Sequence, residues 1–158
     1  MKLMKKKLIL LVLLFPSIVF GQFTLSPECT SCISIEKDKF TGKTTYESPY
    51  NRNIDLYRID GTKYLTLKTY SSFCTVSIDK QDLILLFEDG TKHIVQCTFN
   101  TSVSSGNSFM YISTFTVNST LSNLMKTKKL VAFKLYIFDV DLDATTTEQV
   151  IKSANCVY

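Results

Sequence analysis

The sequence predicts an α+β domain in which a mainly antiparallel sheet of about seven or eight strands is covered by two helices. Residues 129–141 (KLVAFKLYIFDVD) are apolar at alternate positions on both faces, which is typical of a strand buried inside a sheet. Asp60-Gly61 and Asp89-Gly90 each separate two β-patterned runs and predict two hairpins. After Asp143 the apolar period changes from two residues to three and four, which predicts a C-terminal amphipathic helix.

The first 21 residues have the features of a secretory signal. The apolar run from Leu8 to Phe15 ends at Pro16, well short of the roughly 20 residues that a membrane span needs. We therefore predict that residues 1–21 are removed, that the mature chain has no membrane span, and that residues 22–158 form a single domain. The basic residues before the apolar run are Lys2, Lys5, Lys6 and Lys7.

Removal of this leader also removes the apparent basicity of the chain. The leader holds four of the 18 lysines and arginines and none of the 14 aspartates and glutamates, so the mature chain has 14 of each. A nucleic-acid-binding surface needs a surplus of Lys and Arg on one face. The balanced charge therefore argues against a nucleic-acid partner.

The N-terminal part of the mature chain shows only weak periodicity. Residues 22–32 are predicted to be irregular, because Pro27 and a CTSC tetrapeptide interrupt any pattern. Residues 33–38 alternate apolar and polar side chains, which predicts a short half-buried strand. A weaker strand is predicted over residues 43–47.

Both Asp-Gly dipeptides fit two-residue type I′ turns, which fix the register of the flanking strands. In the first hairpin, like charges at Arg58 and Lys63 indicate that this face meets water. The predicted pairs of the first hairpin are Ile59 with Thr62, Arg58 with Lys63, Tyr57 with Tyr64, and Leu56 with Leu65. Those of the second are Leu86 with His93 and Ile84 with Val95, while Leu83, Leu85 and Phe87 line the other face.

Further strands are predicted over residues 73–78 and 109–117, with a polar loop at 101–107. A short helix is expected near residues 119–128, because Asn118-Ser119 offers an N-cap and lysines follow at the end.

The C-terminal helix is expected near residues 145–157. Thr145 and Glu148 have the spacing of a capping box. This helix is the natural cover for one face of the sheet.

The five cysteines leave at least one thiol free or paired between molecules. Cys29 and Cys32 have the spacing of a redox CxxC pair. Such a pair follows a strand and opens a helix, whereas here Pro27 precedes it and a β-patterned segment follows. We therefore expect a local or long-range structural disulfide, with the partners left open. The candidates for a disulfide or redox role are Cys29, Cys32, Cys74, Cys97 and Cys156.

We predict no metal site, cofactor or catalytic residue. Cys74 and Cys97 are too far apart in sequence to complete a four-cysteine zinc site. His93, the only histidine, precedes Cys97 by four residues, which on a strand is about 13 Å. The alternating aspartates near the end of the core strand have oxygen ligands suited to Ca²⁺, but a calcium loop's Gly and final Glu are missing, so we expect them to end the strand and cap the helix. These are Asp139, Asp141 and Asp143.

The succession EKDKFTGKTTYES, LLFEDGTK, a short helix entering KLVAFKLYIFDVD, and a final helix resembles small exported β-rich domains of Bacteroidota-type bacteria. The resemblance covers most of residues 33–156. It implies an exported domain with no assigned activity and no catalytic residues to carry over.

These observations together favour an exported, non-enzymatic module of the periplasm or cell surface that binds a protein or envelope component. Aromatic side chains supply contact area at low entropy cost. The candidate contact residues are Tyr46, Tyr50, Tyr57 and Tyr64. The alternatives are a small hydrolase that uses His93 with Cys97 or an acid, a thiol–disulfide oxidoreductase that uses Cys29 and Cys32, and a carrier of a small apolar ligand.

Overall fold

The computed structural model describes residues 26–73, 81–97, 100–103 and 108–158, with only the backbone for 81 and 100–103. It confirms the α+β class and the antiparallel pairing. The leader and residues 74–78 of one predicted strand lie outside the described residues.

The strands in the described part of the chain form two sheets rather than one. A six-stranded sheet has the order β1-β2-β3-β4-β8-β7, and a four-stranded sheet has the order β10-β9-β5-β6. In chain order the elements are α1 (Pro27–Thr30), β1 (Ser34–Lys37), β2 (Thr44–Glu47), β3 (Ile54–Ile59), β4 (Thr62–Ser71), β5 (Gln81–Phe87), β6 (Lys92–Cys97), β7 (Asn100–Val103), β8 (Phe109–Thr116), α2 (Ser119–Thr127), β9 (Leu130–Leu135), β10 (Phe138–Asp141) and α3 (Ala144–Val157).

The core lies between the two sheets, where β4 contacts β9 and β6 contacts β8. Leu65 and Leu67 of one sheet and Leu83 and Leu85 of the other are fully buried in the same cluster. Burial of each such side chain stabilises the fold by roughly 1.5–3 kcal/mol. Helix α3 packs on α2, β3 and β9, so the predicted C-terminal helix does cover the core.

The first predicted hairpin is confirmed. Asp60 and Gly61 have φ values of 47° and 80°, as both central residues of a type I′ turn require. Tyr57 lies opposite Tyr64, in the register predicted.

The second hairpin forms at the predicted place, but its register differs by one residue. His93 lies opposite Leu85 instead of Leu86. The turn spans three residues, 88–90, and among them only Gly90 has a positive φ, 81°. A type I turn followed by one left-handed residue is another common hairpin loop. An Asp-Gly pair fits both the two-residue and the three-residue loop. The register is set instead by which side chains of β5 are buried in the core.

Residues 129–141 form a hairpin, and the prediction of a single continuous strand is wrong. Leu135 pairs with Phe138, so Tyr136 and Ile137 make a two-residue turn. Tyr136 has φ 59° and Ile137 does not have a positive φ, which is the pattern of a type II′ turn. Gly usually occupies the first position of this turn, so Tyr-Ile carries no turn signal.

Strand β9 lies inside its sheet, between β10 and β5, as expected. Its other face is less buried than predicted, because Ala132 and Lys134 are partly exposed. On the same outer side, Ile94 is 58% exposed. The four-stranded sheet therefore presents one side to solvent.

Both predicted helices are present and each has an expected N-cap, but the predicted capping box of Thr145 and Glu148 does not form. Asn118 caps α2 by accepting a backbone hydrogen bond over 2.8 Å. The cap of α3 is Asp143, whose Oδ1 accepts a backbone hydrogen bond over 2.7 Å, and not Thr145. Glu148 pairs with Lys129 at 2.5 Å instead of completing a capping box.

Two short elements were not predicted. One turn of helix, α1, lies within the segment 22–32, and β7 takes up the first residues of the expected loop at 101–107. Strand β7 adds to the sheet by pairing with β8.

Candidate functional site

The side of the six-stranded sheet that faces away from the core carries several tyrosines. Successive side chains of a strand point to opposite faces. In β4, Leu65 and Leu67 point into the core, so Tyr64 and Tyr70 point outward, and Tyr57 of β3 points outward beside Tyr64. We call this surface the tyrosine face; its residues are Tyr50, Asp55, Tyr57, Tyr64, Lys68 and Tyr70.

Tyr57 and Tyr64 are the centre of the tyrosine face. Their rings are stacked, with centroids 5.0 Å apart and planes at 13°. Both side chains are partly exposed. An aromatic pair of this kind stabilises a fold by roughly 0.5–1.5 kcal/mol beyond its buried area. The pair is therefore a rigid feature, with its ring edges available to a partner.

Lys68 is held beside this pair by a short ion pair. Its Nζ lies 2.6 Å from Oδ2 of Asp55, and the two side chains are only 11% and 21% exposed. The same ammonium lies 5.5 Å from the ring centroid of Tyr50, whose side chain is 83% exposed. Partial desolvation strengthens the attraction between the two charges. The ion pair thus fixes the cation below an exposed ring.

Arg52 extends the tyrosine face at the end that carries Tyr70. Its guanidinium lies 4.6 Å from the ring centroid of Tyr70, within the range of a cation–π contact. No sequence pattern predicts the contact of Arg52 with Tyr70 or the pairing of Lys68 with Asp55. Only the outward position of Tyr70 can be predicted from sequence, because Tyr64 and Tyr70 alternate with Leu65 and Leu67 along one long strand.

Tyr46 is separate from the other three candidate tyrosines. It lies opposite Arg58, which in turn lies opposite Lys63. The guanidinium of Arg58 is 4.3 Å from the ring centroid of Tyr46. This row is on the core side of the sheet, where Lys63 donates a hydrogen bond to Ser122 of α2 over 2.9 Å.

The expectation that Arg58 and Lys63 meet water holds only in part. Burial lowers the pKa of Lys63, and the nearby charges of Lys126 and Arg58 lower it further. The ring of Tyr158 lies 5.9 Å from the Lys63 ammonium. Aromatic faces attract cations, so the rings on this row offset the repulsion between the two charges.

Cys29 forms a disulfide with Cys156, which joins α1 to α3. The expected structural disulfide is therefore long-range, and Cys29 is not bonded to Cys32. Among the described residues, Cys32 and Cys97 are free thiols. Cys74 lies outside the described residues.

Two adjoining cavities open beside Cys32. One, of about 590 Å³, is lined by Cys32, Pro49, Glu148 and Lys152 among others. The second, of about 510 Å³, is lined by Cys32 together with both cysteines of the disulfide. Both cavities are open clefts beside α3. The cavity between β3 and α3, in contrast, has a volume of only about 10 Å³.

Cys97 is poorly placed to act as a nucleophile with His93 as its base. Both lie on the core side of β6, and Cys97 is buried. Burial raises the pKa of the Cys97 thiol, which makes it a poorer nucleophile because the thiolate is the reactive form.

Two of the three aspartates near the end of residues 129–141 have separate roles. Asp139 lies 3.5 Å from Lys134 in an exposed ion pair, and Asp143 caps α3, as predicted. Within the described ranges, no group of three or more His, Cys, Asp or Glu side chains is placed to hold a metal ion.

No protein-family model, curated protein or solved structure matches the chain. The resemblance to exported Bacteroidota-type domains therefore stays a prediction. Of the helices in the described part of the chain, none is long and apolar enough to cross a membrane.

Proposed function

We propose that the chain is an exported, non-catalytic binding domain of the periplasm or cell surface, and that its tyrosine face contacts a protein partner. The observation that carries this proposal is the stacked pair of Tyr57 and Tyr64 on a side of the sheet that faces away from the core. Tyrosine is enriched at the energetically dominant positions of protein interfaces. A rigid pair loses little side-chain entropy when a partner binds.

A protein suits this surface better than a sugar of the envelope. Sugar rings commonly stack on the open face of an aromatic ring, but here the two central rings cover one face of each other. Their edges and hydroxyls stay available for polar and apolar contacts with side chains and backbone. Arg52, beside the ring of Tyr70, adds positive charge at the margin, whereas the charge of Lys68 is balanced by Asp55.

Export is supported by the disulfide and by the leader. Disulfides form and persist in oxidising compartments, and the Cys29–Cys156 bond is present in the structure. The expected mature chain begins at Gln22, which N-terminal sequencing of the protein from culture fractions tests directly.

A carrier of a small apolar ligand is less well supported. Such a carrier needs a closed apolar cavity between the sheet and the helices. The seam between β3 and α3 leaves about 10 Å³, which is about the space of one water molecule.

Site-directed photo-crosslinking tests the proposed surface. A photoreactive phenylalanine analogue at Tyr50 or Tyr70 should crosslink a discrete protein in cells that express the full chain. The matched control carries the analogue at Ile94, an exposed position on the other sheet. Adducts of equal yield at Ile94, or no adduct at either tyrosine, would contradict the proposal.

The double variant Y57S/Y64S gives the complementary test. It should reduce the crosslinking yield from Tyr50 at least tenfold, while Tyr46→Ser should leave it unchanged, because Tyr46 lies on the core side. Far-UV circular dichroism and the melting temperature show whether each variant is folded. A folded double variant that crosslinks with the same yield as the wild type would contradict the proposal.

A further inference from the structure

Three cysteines meet at one cleft of this protein. The disulfide Cys29–Cys156 and the free thiol of Cys32 all line the cavity of about 510 Å³. Cys32 also lines the adjoining cavity of about 590 Å³, and its side chain is partly exposed. A free thiol therefore lies in a solvent-accessible cleft next to an existing disulfide.

The backbone places Cys32 within bonding reach of Cys29. The N–H of Cys32 donates a hydrogen bond to the carbonyl of Cys29 over 3.1 Å. This i to i+3 bond defines a turn whose end Cα atoms are less than about 7 Å apart. Disulfides join Cα atoms roughly 4.4 to 6.8 Å apart. A Cys29–Cys32 bond therefore needs little movement of the backbone.

We propose that Cys32 is an exchange thiol that converts the Cys29–Cys156 disulfide into a Cys29–Cys32 disulfide. The thiolate of Cys32 attacks Sγ of Cys29, and a new sulfur–sulfur bond forms between them. The Cys29–Cys156 bond breaks, and its electron pair leaves with Sγ of Cys156, which takes a proton from water. One disulfide and one of these three thiols exist before and after, so the step needs no oxidant or reductant.

The exchange changes which parts of the chain are tied together. The original bond spans 127 residues and fastens α1 to α3, whereas the new bond closes a loop within a single turn. The released form has α3 without a covalent link to the N-terminal segment. It also presents the Cys156 thiol in a cleft where a disulfide-containing molecule can react with it.

Thiol trapping tests the proposal on the full mature protein, purified in its oxidised form. The protein is incubated at pH 6, 7 and 8 without reductant, quenched in acid, labelled with excess maleimide, and mapped by mass spectrometry. We expect maleimide on Cys156 together with a Cys29–Cys32 crosslinked peptide. The rate of their appearance should rise with pH, because the thiolate is the attacking species.

Three single variants separate this route from reactions of other thiols. Cys32→Ser should abolish labelling of Cys156, whereas Cys74→Ser and Cys97→Ser should leave it unchanged. Label on Cys156 that persists in Cys32→Ser, or label on Cys29 in the wild type, overturns the proposal.

A second measurement does not depend on the exchange rate. In Cys156→Ser, mild oxidation with oxidised glutathione should produce an intramolecular Cys29–Cys32 disulfide, seen as a loss of two mass units and a crosslinked peptide. If this variant, folded by circular dichroism, forms only mixed disulfides with glutathione, Cys32 cannot reach Cys29 and the proposal fails.

Discussion

The hydroxyl of Tyr158 donates a hydrogen bond to the backbone carbonyl of Tyr64 over 2.6 Å. This contact ties the end of α3 to the strand that carries the tyrosine face. Tyr158 is 7% exposed, so the bond is made in a largely desolvated place. The position of β4, and with it the Tyr57–Tyr64 pair, depends in part on the helix behind it.

Tyr158→Phe should lower the free energy of unfolding by about 1 kcal/mol at pH 7, because it removes a buried hydrogen bond and leaves the packing nearly unchanged. Urea denaturation of the mature chain measures the difference. Tyr50→Phe is the control, since the Tyr50 side chain is 83% exposed, and it should change stability by no more than a few tenths of a kcal/mol. Equal losses in both variants would contradict the assignment.

The same residue should make the protein sensitive to alkali. Burial raises the pKa of Tyr158 well above its ordinary value of 10.0. Above pH 10 the unfolded chain loses this proton while the folded chain keeps it, so the free energy of unfolding falls as pH rises. Tyr158→Phe lacks this contribution, and we expect its stability to approach and then exceed that of the wild type above pH 10. Denaturation curves between pH 8 and 11 measure the gap; a gap constant with pH would exclude the buried, neutral phenol.

Asp89→Asn should weaken the link between the second hairpin and α2. The Asp89 carboxylate lies 2.6 Å from Lys128 Nζ and accepts a hydrogen bond from the N–H of Thr91. The Lys128 hydrogen bond, followed by that of Thr91, holds the pKa of Asp89 well below its usual 3.8. This stabilisation is present above pH 4 and is lost as the pH falls toward the folded-state pKa.

We therefore expect Asp89→Asn to melt at a lower temperature than the wild type at pH 7, with the difference shrinking below pH 4. Asp139→Asn serves as the control, because the Asp139 side chain is 76% exposed and 3.5 Å from Lys134. Thermal melts across this pH range would refute the prediction if both variants gave the same profile.

Tyr136→Gly should relieve backbone strain in the turn between β9 and β10. Tyr136 has a left-handed backbone with φ 59°, which costs an L-residue roughly 1–2 kcal/mol. Glycine avoids this strain, but its greater conformational freedom in the unfolded chain offsets part of the gain in stability. Tyr136→Ala removes the same ring but keeps the strain. We expect the glycine variant to be more stable than the alanine variant by about 1 kcal/mol in urea denaturation. The reverse order would rule out a strained turn at this position.

Removal of the disulfide should have the largest effect on stability. In the chain-entropy model, a bond that closes a loop of this length stabilises the fold by about 5 kcal/mol. The double variant C29S/C156S should therefore have a much lower urea midpoint than the wild type. Cys32→Ser keeps the disulfide, and its midpoint should be close to that of the wild type. A double variant as stable as the wild type would mean that the bond is not formed in the purified protein.

Local signals in the sequence predicted local structure well. Asp60-Gly61 fixed a hairpin in which Tyr57 meets Tyr64, since a two-residue turn leaves one register. Asn118 is predictable as a helix cap because its short side chain can accept a hydrogen bond from the first backbone amides of α2.

Features that depend on distant contacts were not predictable. The turn at Tyr136-Ile137 has no Gly or Asn, and it is imposed by the pairing of β9 with β10 and β5. The division of the strands into two sheets and the Cys29–Cys156 bond likewise join residues far apart in the chain. For the tyrosine face, alternation indicated Tyr57 and Tyr64, but the contacts of Tyr50 and Arg52 come from a loop whose path no pattern specifies.

The stacked tyrosines also give the protein an internal optical reporter. The chain has eight tyrosines and no tryptophan, so phenols dominate its near-ultraviolet absorption. Two phenols with centroids 5.0 Å apart and planes at 13° are close enough for their transition dipoles to couple. The circular dichroism of the native chain near 230 and 280 nm should therefore include a contribution from this pair, and a partner that binds the tyrosine face should change that contribution without any added dye.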